Sequence, residues 1–252
     1  THRGTYTTQG RTKRANRRCE VALREAEVWG TLARVAAGTG PADGLAEFAR
    51  TLRPLWETVL LHQFHDILPG SSIGAVYVDT AADHARVLAE AGALGEAALR
   101  RLGEGGSGAV HRFRVFNSLS WDRRDVVRLP AAGVAHPVAV DGVGRRLPAQ
   151  VTRSADGVPE VVVLVETPAL GAATVELRSG LPAATTVKAF GRTLENEFLL
   201  AEVGEDGALV RLFDKRVGRE VIPAGERANR LQLFQDGPEH EAAWKRDRKS
   251  VV

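Results

Sequence analysis

The run Leu61-His62-Gln63-Phe64-His65-Asp66-Ile67-Leu68-Pro69-Gly70-Ser71-Ser72 places two imidazoles and a carboxylate where an apolar segment must stop and turn. Neutral imidazole and carboxylate are metal ligands when a rigid element holds them. His65 can offer one ring nitrogen to an ion, and His62, one turn earlier, can share that ligand face. On a helix Asp66 points about 100° away from His65 around the axis. It is therefore expected to face a neighbouring part of the same pocket and need not bind the same ion. One or two ligands do not make a zinc site, which takes three or four. His84 and His111 have no acidic neighbours at ligand spacing, and nothing else in the chain supplies the rest. The alternative is that both histidines are amphipathic-helix residues and Asp66 joins a turn network.

Three segments with helical periodicity must position these groups. From Arg11 to about Ala37, small and apolar residues recur every three or four positions, among them Ala15, Cys19, Ala22, Ala26, Trp29 and Ala33. A second helix is expected from about Gly44 to Asp66, with Phe48, Leu52, Leu55 and Val59 on one face, and Pro54 kinking it or marking its first turn. A third runs from about Gly74 to Leu102. Short loops between three such helices make an antiparallel bundle. After Gly108 the period becomes two, in Val110 to Phe116, Asp125 to Leu129, Val161 to Val165, Thr174 to Leu177, Leu194 to Val203, Leu209 to Phe213 and Arg230 to Phe234. Turn signals at Asp141-Gly142, Asp156-Gly157 and Asp206-Gly207 separate them. The fold class read from these patterns is α+β: a helical bundle over residues 1–105, then an incomplete antiparallel β-sandwich over 106–252.

Composition excludes several functions. No apolar run approaches membrane-spanning length, and no leader-like segment precedes the first helix. Cys19 is the single cysteine, so no intrachain disulfide can form. The net charge of +3 is carried entirely by residues 245–252, which weakens any nucleic-acid or membrane argument drawn from the basic pI alone. The basic run Arg11 to Arg18 lacks interleaved aromatics and reads as a solvated helix face. The chain has no methionine and reads as a piece of a longer protein. Its final residues, 245–252, read as a sequencing-adapter artefact of a truncated read.

The segment from Leu61 to Ser72, followed by Val76-Tyr77-Val78-Asp79, strongly resembles the zinc-dependent alpha-mannosidases of glycoside hydrolase family 38. Further matches are His2-Arg3-Gly4-Thr5-Tyr6-Thr7-Thr8-Gln9 with Lys13-Arg14-Ala15-Asn16-Arg17-Arg18, and Val115-Phe116-Asn117-Ser118-Leu119-Ser120-Trp121. A last one spans Leu194-Glu195-Asn196-Glu197-Phe198 to Asn229-Arg230-Leu231-Gln232-Leu233-Phe234. The resemblance implies a middle helical domain and the start of a C-terminal β region. His65 would complete a zinc sphere whose other ligands lie in an N-terminal α/β domain, and Asp66 would bind substrate hydroxyls. The nucleophile and the acid/base would also lie in that domain, so no catalytic residue is expected here. The implied reaction is retaining hydrolysis of terminal alpha-mannosyl residues.

By the same resemblance the substrate is a mannose-containing glycan or glycoside, the compartment a bacterial cytoplasm, and a homo-oligomer possible. One alternative is a mannosylglycerate-type hydrolase of the same family; another is a non-catalytic carbohydrate-binding module. His2 and Tyr6 either line the pocket rim or pack the entry to the first helix. Trp29, Trp56 and Trp121 read as core or interdomain packing residues, with an apolar patch expected on the bundle.

Overall fold

The computed structural model describes residues 3–38, 41–103, 111–131, 133–181, 186–232, 234–235 and 250–251. Helices α1 (Gly10–Ala36), α2 (Pro41–His62) and α3 (Gly74–Gly103) lie within a few residues of their periodicity. Cys19, Leu23 and Ala26 of α1 meet Phe48, Leu52, Leu55 and Val59 of α2 and Val87 and Ala91 of α3 in one buried cluster. Each large side chain so buried contributes about 1.5–3 kcal/mol before entropy is counted.

Pairings along the helices set their directions. Cys19 contacts His84 near one end, and Trp29 and Ala33 pack with Ala98 near the other, so α1 and α3 run parallel. Gln63 bonds Glu20, Trp56 bonds Glu27 and Phe48 packs on Gly30, so α2 runs antiparallel to α1. Pro54 lies inside α2 without ending it.

Gly30 has a packing reason. A Cβ there would lie 2.1 Å from the Phe48 ring, which the Arg34 guanidinium covers at 4.0 Å. Gly30→Val is therefore expected to lower stability by about 1–3 kcal/mol through overpacking. A urea midpoint equal to that of the parent sequence would contradict this contact.

The first strands are β1 (Arg112–Phe116), β2 (Arg123–Pro130), β3 (Pro137–Asp141), β4 (Arg146–Leu147), β5 (Ala149–Arg153), β6 (Pro159–Thr167) and β7 (Ala172–Ser179). They form two antiparallel sheets, ordered β1-β7-β3-β4 and β2-β6-β5. Leu129, Val161, Val163 and Val165 from one sheet share a buried cluster with Ala139, Val175 and Leu177 from the other. This is the sandwich core, with alternate residues of each strand facing inward.

Trp29 is a core residue joined to this sandwich, its ring meeting Phe116 edge-on at 5.4 Å. Arg24 adds a hydrogen bond of 2.8 Å to the Ser118 carbonyl. Asn117 is 2% exposed. Its amide donates to the Trp121 and Pro168 carbonyls, and its Oδ1 accepts from the Leu119 amide. Trp121 itself is exposed and Trp56 half-buried.

The helices and these two sheets make one compact unit, and a second begins after Leu181. It carries β8 (Lys188–Phe190), β9 (Thr193–Glu195), β10 (Leu199–Val203), β11 (Leu209–Asp214) and β12 (Arg219–Glu220), paired in sequence as an antiparallel meander. The single strand expected over Leu194 to Val203 is two, because Asn196 Oδ1 accepts the Phe198 and Leu199 amides and turns the chain. In the stretch expected to be a strand from Arg230, residues 230–232 form none, and the strand that follows is Phe234–Gln235, paired with Ser250–Val251. Residues 245–249 of the tail lie outside the described residues. Among the described residues, no helix is long and apolar enough to cross a membrane.

Candidate functional site

The helix α2 stops at His62, three residues before His65. The Gln63 amide is shared between the Val59 and Leu60 carbonyls and the Phe64 amide reaches back only to Leu61, so the last turn tightens and closes. His65 and Asp66 therefore sit in the turn beyond the helix. They do not diverge by a helical angle: His65 Nε2 lies 3.4 Å from Asp66 Oδ2. The His65 side chain is 77% exposed and leans on the Phe64 ring at 4.2 Å. Asp66 is half-exposed and its Oδ1 accepts from the Ser71 hydroxyl at 3.1 Å. Lone pairs on both oxygens remain open to further donors.

The turn is held from several sides. The Asp66 carbonyl accepts from the Ser71 amide at 3.1 Å and the Ser72 hydroxyl at 2.8 Å. Tyr77, in the first turn of α3, directs its hydroxyl at the Asp66 and Ile67 carbonyls and accepts from the Ser72 amide. At the start of the turn, Gln63 donates to Glu20 on α1 at 2.9 Å, and Glu20 also accepts from Asn16 and Arg17. At its end, Gly70 takes φ +102° and presses against Thr8, where a Cβ would approach the Thr8 side chain to 2.6 Å. Lys13 bridges the same two segments, donating to the carbonyls of Thr8, Leu68 and Pro69.

His62 does not share a ligand face with His65. It is 5% exposed, its Nε2 lies 2.9 Å from Asp83 Oδ2, and its Nδ1 lies 3.2 Å from the Thr80 hydroxyl. Its ring meets that of His84 edge-on at 5.2 Å. The hydrogen bond from His62 holds the Asp83 carboxyl below its usual range, with Arg86 helping. His84 is 1% exposed with neither ring nitrogen hydrogen-bonded, and burial lowers its proton affinity. The amphipathic-helix reading thus holds for His62 and not for His65.

Among the described residues, no three His, Cys, Asp or Glu side chains gather where one ion could bind them. An imidazole that is free to move toward an ion, with a carboxylate beside it to orient the ring, fits one corner of such a site. His65 with Asp66 has that form. Tyr6 is 84% exposed and packs no helix entry, and His2 lies outside the described residues. Leu60, Leu61, Phe64, Ile73 and Val78 of the bundle are exposed near the turn, and of the three tryptophans Trp121 is exposed as well. Residue patterns alone give no sign of Lys13 or Gln63, whose partners lie far along the chain. All four of Lys13, Gln63, Ser71 and Tyr77 stood within the strings that carry the resemblance, but none was singled out there.

Comparison with known proteins places this arrangement in context. Residues 1–102 match the model of the alpha mannosidase middle domain, and residues 194–250 match that of the glycosyl hydrolases family 38 C-terminal domain. The chain is 30% identical to alpha-mannosidase 2C1 of Homo sapiens over 254 aligned positions, covering 96% of this chain and 21% of the human protein. It is 43% identical over 89 residues, 35% of its length, to alpha-mannosidase G of Dictyostelium discoideum, of which that covers 8%. A crystal structure of a glycosyl hydrolase family 38 protein from Enterococcus faecalis superposes with a TM-score of 0.67 at 18% identity, covering all of this chain and 34% of that one. The chain thus spans about one fifth of the length of the curated human relative.

Proposed function

The chain belongs to glycosyl hydrolase family 38, and from that premise we propose that it is the middle and early C-terminal part of a zinc-dependent, retaining alpha-mannosidase. The observation that carries this reading is the turn after α2, where an exposed imidazole and a half-exposed carboxylate stand side by side on a braced loop. The substrate class is a terminal alpha-mannoside of a glycan or glycoside, in line with the names of the relatives.

In this proposal His65 lends one nitrogen to a zinc ion completed by ligands from elsewhere in the intact protein. A zinc ion held there would supply Lewis-acid stabilisation of the charge that develops at the scissile bond. Asp66 accepts hydrogen bonds from sugar hydroxyls through the lone pairs that Ser71 leaves open. The Tyr77, Ser71 and Ser72 contacts fix the turn that carries both groups, and the Asp66 carboxylate itself, before substrate arrives, so that less ordering is left to the binding step. The nucleophile and acid/base of the two-carboxylate mechanism belong to residues outside this chain. The apolar rim formed by Leu60, Phe64 and Ile73 suits a surface covered by that same domain. The cytoplasmic location and any homo-oligomer remain part of this proposal.

The test compares the intact protein with residues 1–252 alone on an aryl alpha-mannoside. Turnover by the intact protein, lost to a chelator and restored by zinc, with none from residues 1–252, is the expected result. Turnover by residues 1–252, or activity indifferent to chelation, overturns it.

A further inference from the structure

Among the contacts that brace the turn, the long-range one from Lys13 is left unassigned by the mannosidase reading. Lys13 lies in the first turns of α1, and its ammonium donates to the Thr8 carbonyl at 2.6 Å, the Leu68 carbonyl at 2.7 Å and the Pro69 carbonyl at 3.2 Å. An ammonium has three N–H donors, and all three are used on main-chain oxygens. Leu68 and Pro69 lie two and three residues beyond Asp66, so the clamp acts on the same turn that carries the His65–Asp66 pair. The close fit of Gly70 against Thr8 lies beside the same ammonium and leaves little room for another seat.

Such a contact is costly unless it is made in full. Burial lowers the proton affinity of Lys13, so the carbonyls must compensate for water lost from the charge. A surface lysine could bind any carboxylate nearby; this one is spent on three carbonyls that otherwise belong to two separate segments. A guanidinium cannot replace it, because its donors lie in a plane and cannot converge on three oxygens around one point.

We propose that Lys13 is a positioning residue of the active site, clamping the turn from Leu68 to Gly70 onto the residues before α1 and so fixing where His65 and Asp66 point. The clamp is a property of this chain. Its catalytic consequence rests on the mannosidase reading above, and the test separates the two.

The first measurement is amide hydrogen exchange on the 252-residue chain, with Lys13→Met, which keeps the stem and loses every donor, and Lys13→Arg, which keeps the charge. For both variants the Leu68, Gly70 and Ser71 amides should exchange at least about tenfold faster, while the core amides of Val59 and Val87 keep their protection. Protection of the turn unchanged in both variants overturns the clamp, as does a loss spread evenly over the whole bundle. This readout needs no catalysis and stands whether or not the protein is a mannosidase.

The second measurement is steady-state turnover of an aryl alpha-mannoside by the intact protein carrying Lys13→Met. A drop in kcat of about tenfold or more is expected, with KM changing far less, because misplacing a group by around an ångström acts mostly on the reacting geometry. A loosened turn with kcat preserved overturns the positioning role. A parent protein with no turnover at all, before any substitution, sinks the mannosidase reading and with it the catalytic consequence, while the exchange result still decides the clamp.

Discussion

On the zinc-mannosidase proposal, His65→Ala in the intact protein is expected to abolish zinc retention and lower kcat/KM by more than about a hundredfold, while leaving the fold untouched. Loss of an outer-shell partner of a metal ligand already costs about 10–100-fold in affinity or activity, so loss of a ligand should cost more. The structural side of the argument is the exposure of the ring. His65 is 77% exposed, and its described neighbours are the Phe64 ring and the Asp66 carboxylate. Removing such a side chain should change stability by no more than about 0.5 kcal/mol. Activity and stability therefore separate at this residue as they cannot at a core position. Zinc content by mass spectrometry, kinetics on an aryl mannoside and a thermal midpoint make the comparison. A variant that keeps its zinc and its turnover would remove His65 from the metal sphere. One that loses both together with its fold would make His65 a structural residue.

His84 offers the second large effect, on stability and its dependence on pH. Both of its ring nitrogens are buried without a hydrogen-bond partner. Such unpaired groups cost about 1–3 kcal/mol each. The groups that face it are His62 from α2, its own neighbour Asp83, and Cys19 from α1, whose thiol reaches the His84 carbonyl. Burial, reinforced by His62 and opposed by Asp83, depresses the proton affinity of His84 below the usual value of 6.5. The unfolded chain thus takes up a proton at this residue before the folded chain does. Stability owed to the neutral ring is complete above about pH 6.5 and declines as pH falls toward the folded value, by up to about 1.4 kcal/mol per pH unit. Asp83, also depressed, acts in the same direction but only near and below its unfolded value of 3.8.

His84→Leu removes both the titration and the unpaired nitrogens. Its urea-unfolding free energy should fall less than that of the parent sequence between about pH 7 and pH 5, and its stability near pH 5 should be higher by about 1 kcal/mol or more. Equal slopes in the two proteins would mean that His84 does not carry the acid sensitivity. A less stable variant at both pH values would mean that the edge-on contact with His62 outweighs the unpaired nitrogens.

The helices and most of the early strands were legible in the residues because their signals are local. Apolar residues at three- and four-residue spacing need one face to bury, and the glycines and prolines between them end each segment, so α1 and α3 fall where periodicity places them. Short punctuated strands likewise announced the sandwich, although β3, β5, β8 and the two-residue strands β4 and β12 were not read, being too short or too weakly alternating to stand out from the loops around them. The break at Asn196 was missed because a side chain turning its own backbone leaves the apolar pattern on both sides intact.

By itself the sequence determined that a histidine and an aspartate stand where an apolar helix gives way to a turn, and that the chain resembles one family of hydrolases along nearly its whole length. Tertiary structure decided what each histidine is. His62 and His65 are three residues apart and chemically alike, yet Thr80 and Asp83 on α3 bury and occupy the first while the second stays open. It also decided that Asp66 faces His65, because the helix closes at His62 and the helical angle no longer applies. The clamp at Lys13 joins positions 55 and 56 residues apart through main-chain oxygens that every residue possesses. Periodicity is a property of neighbours along the chain, whereas partners like these exist only once the helices have packed.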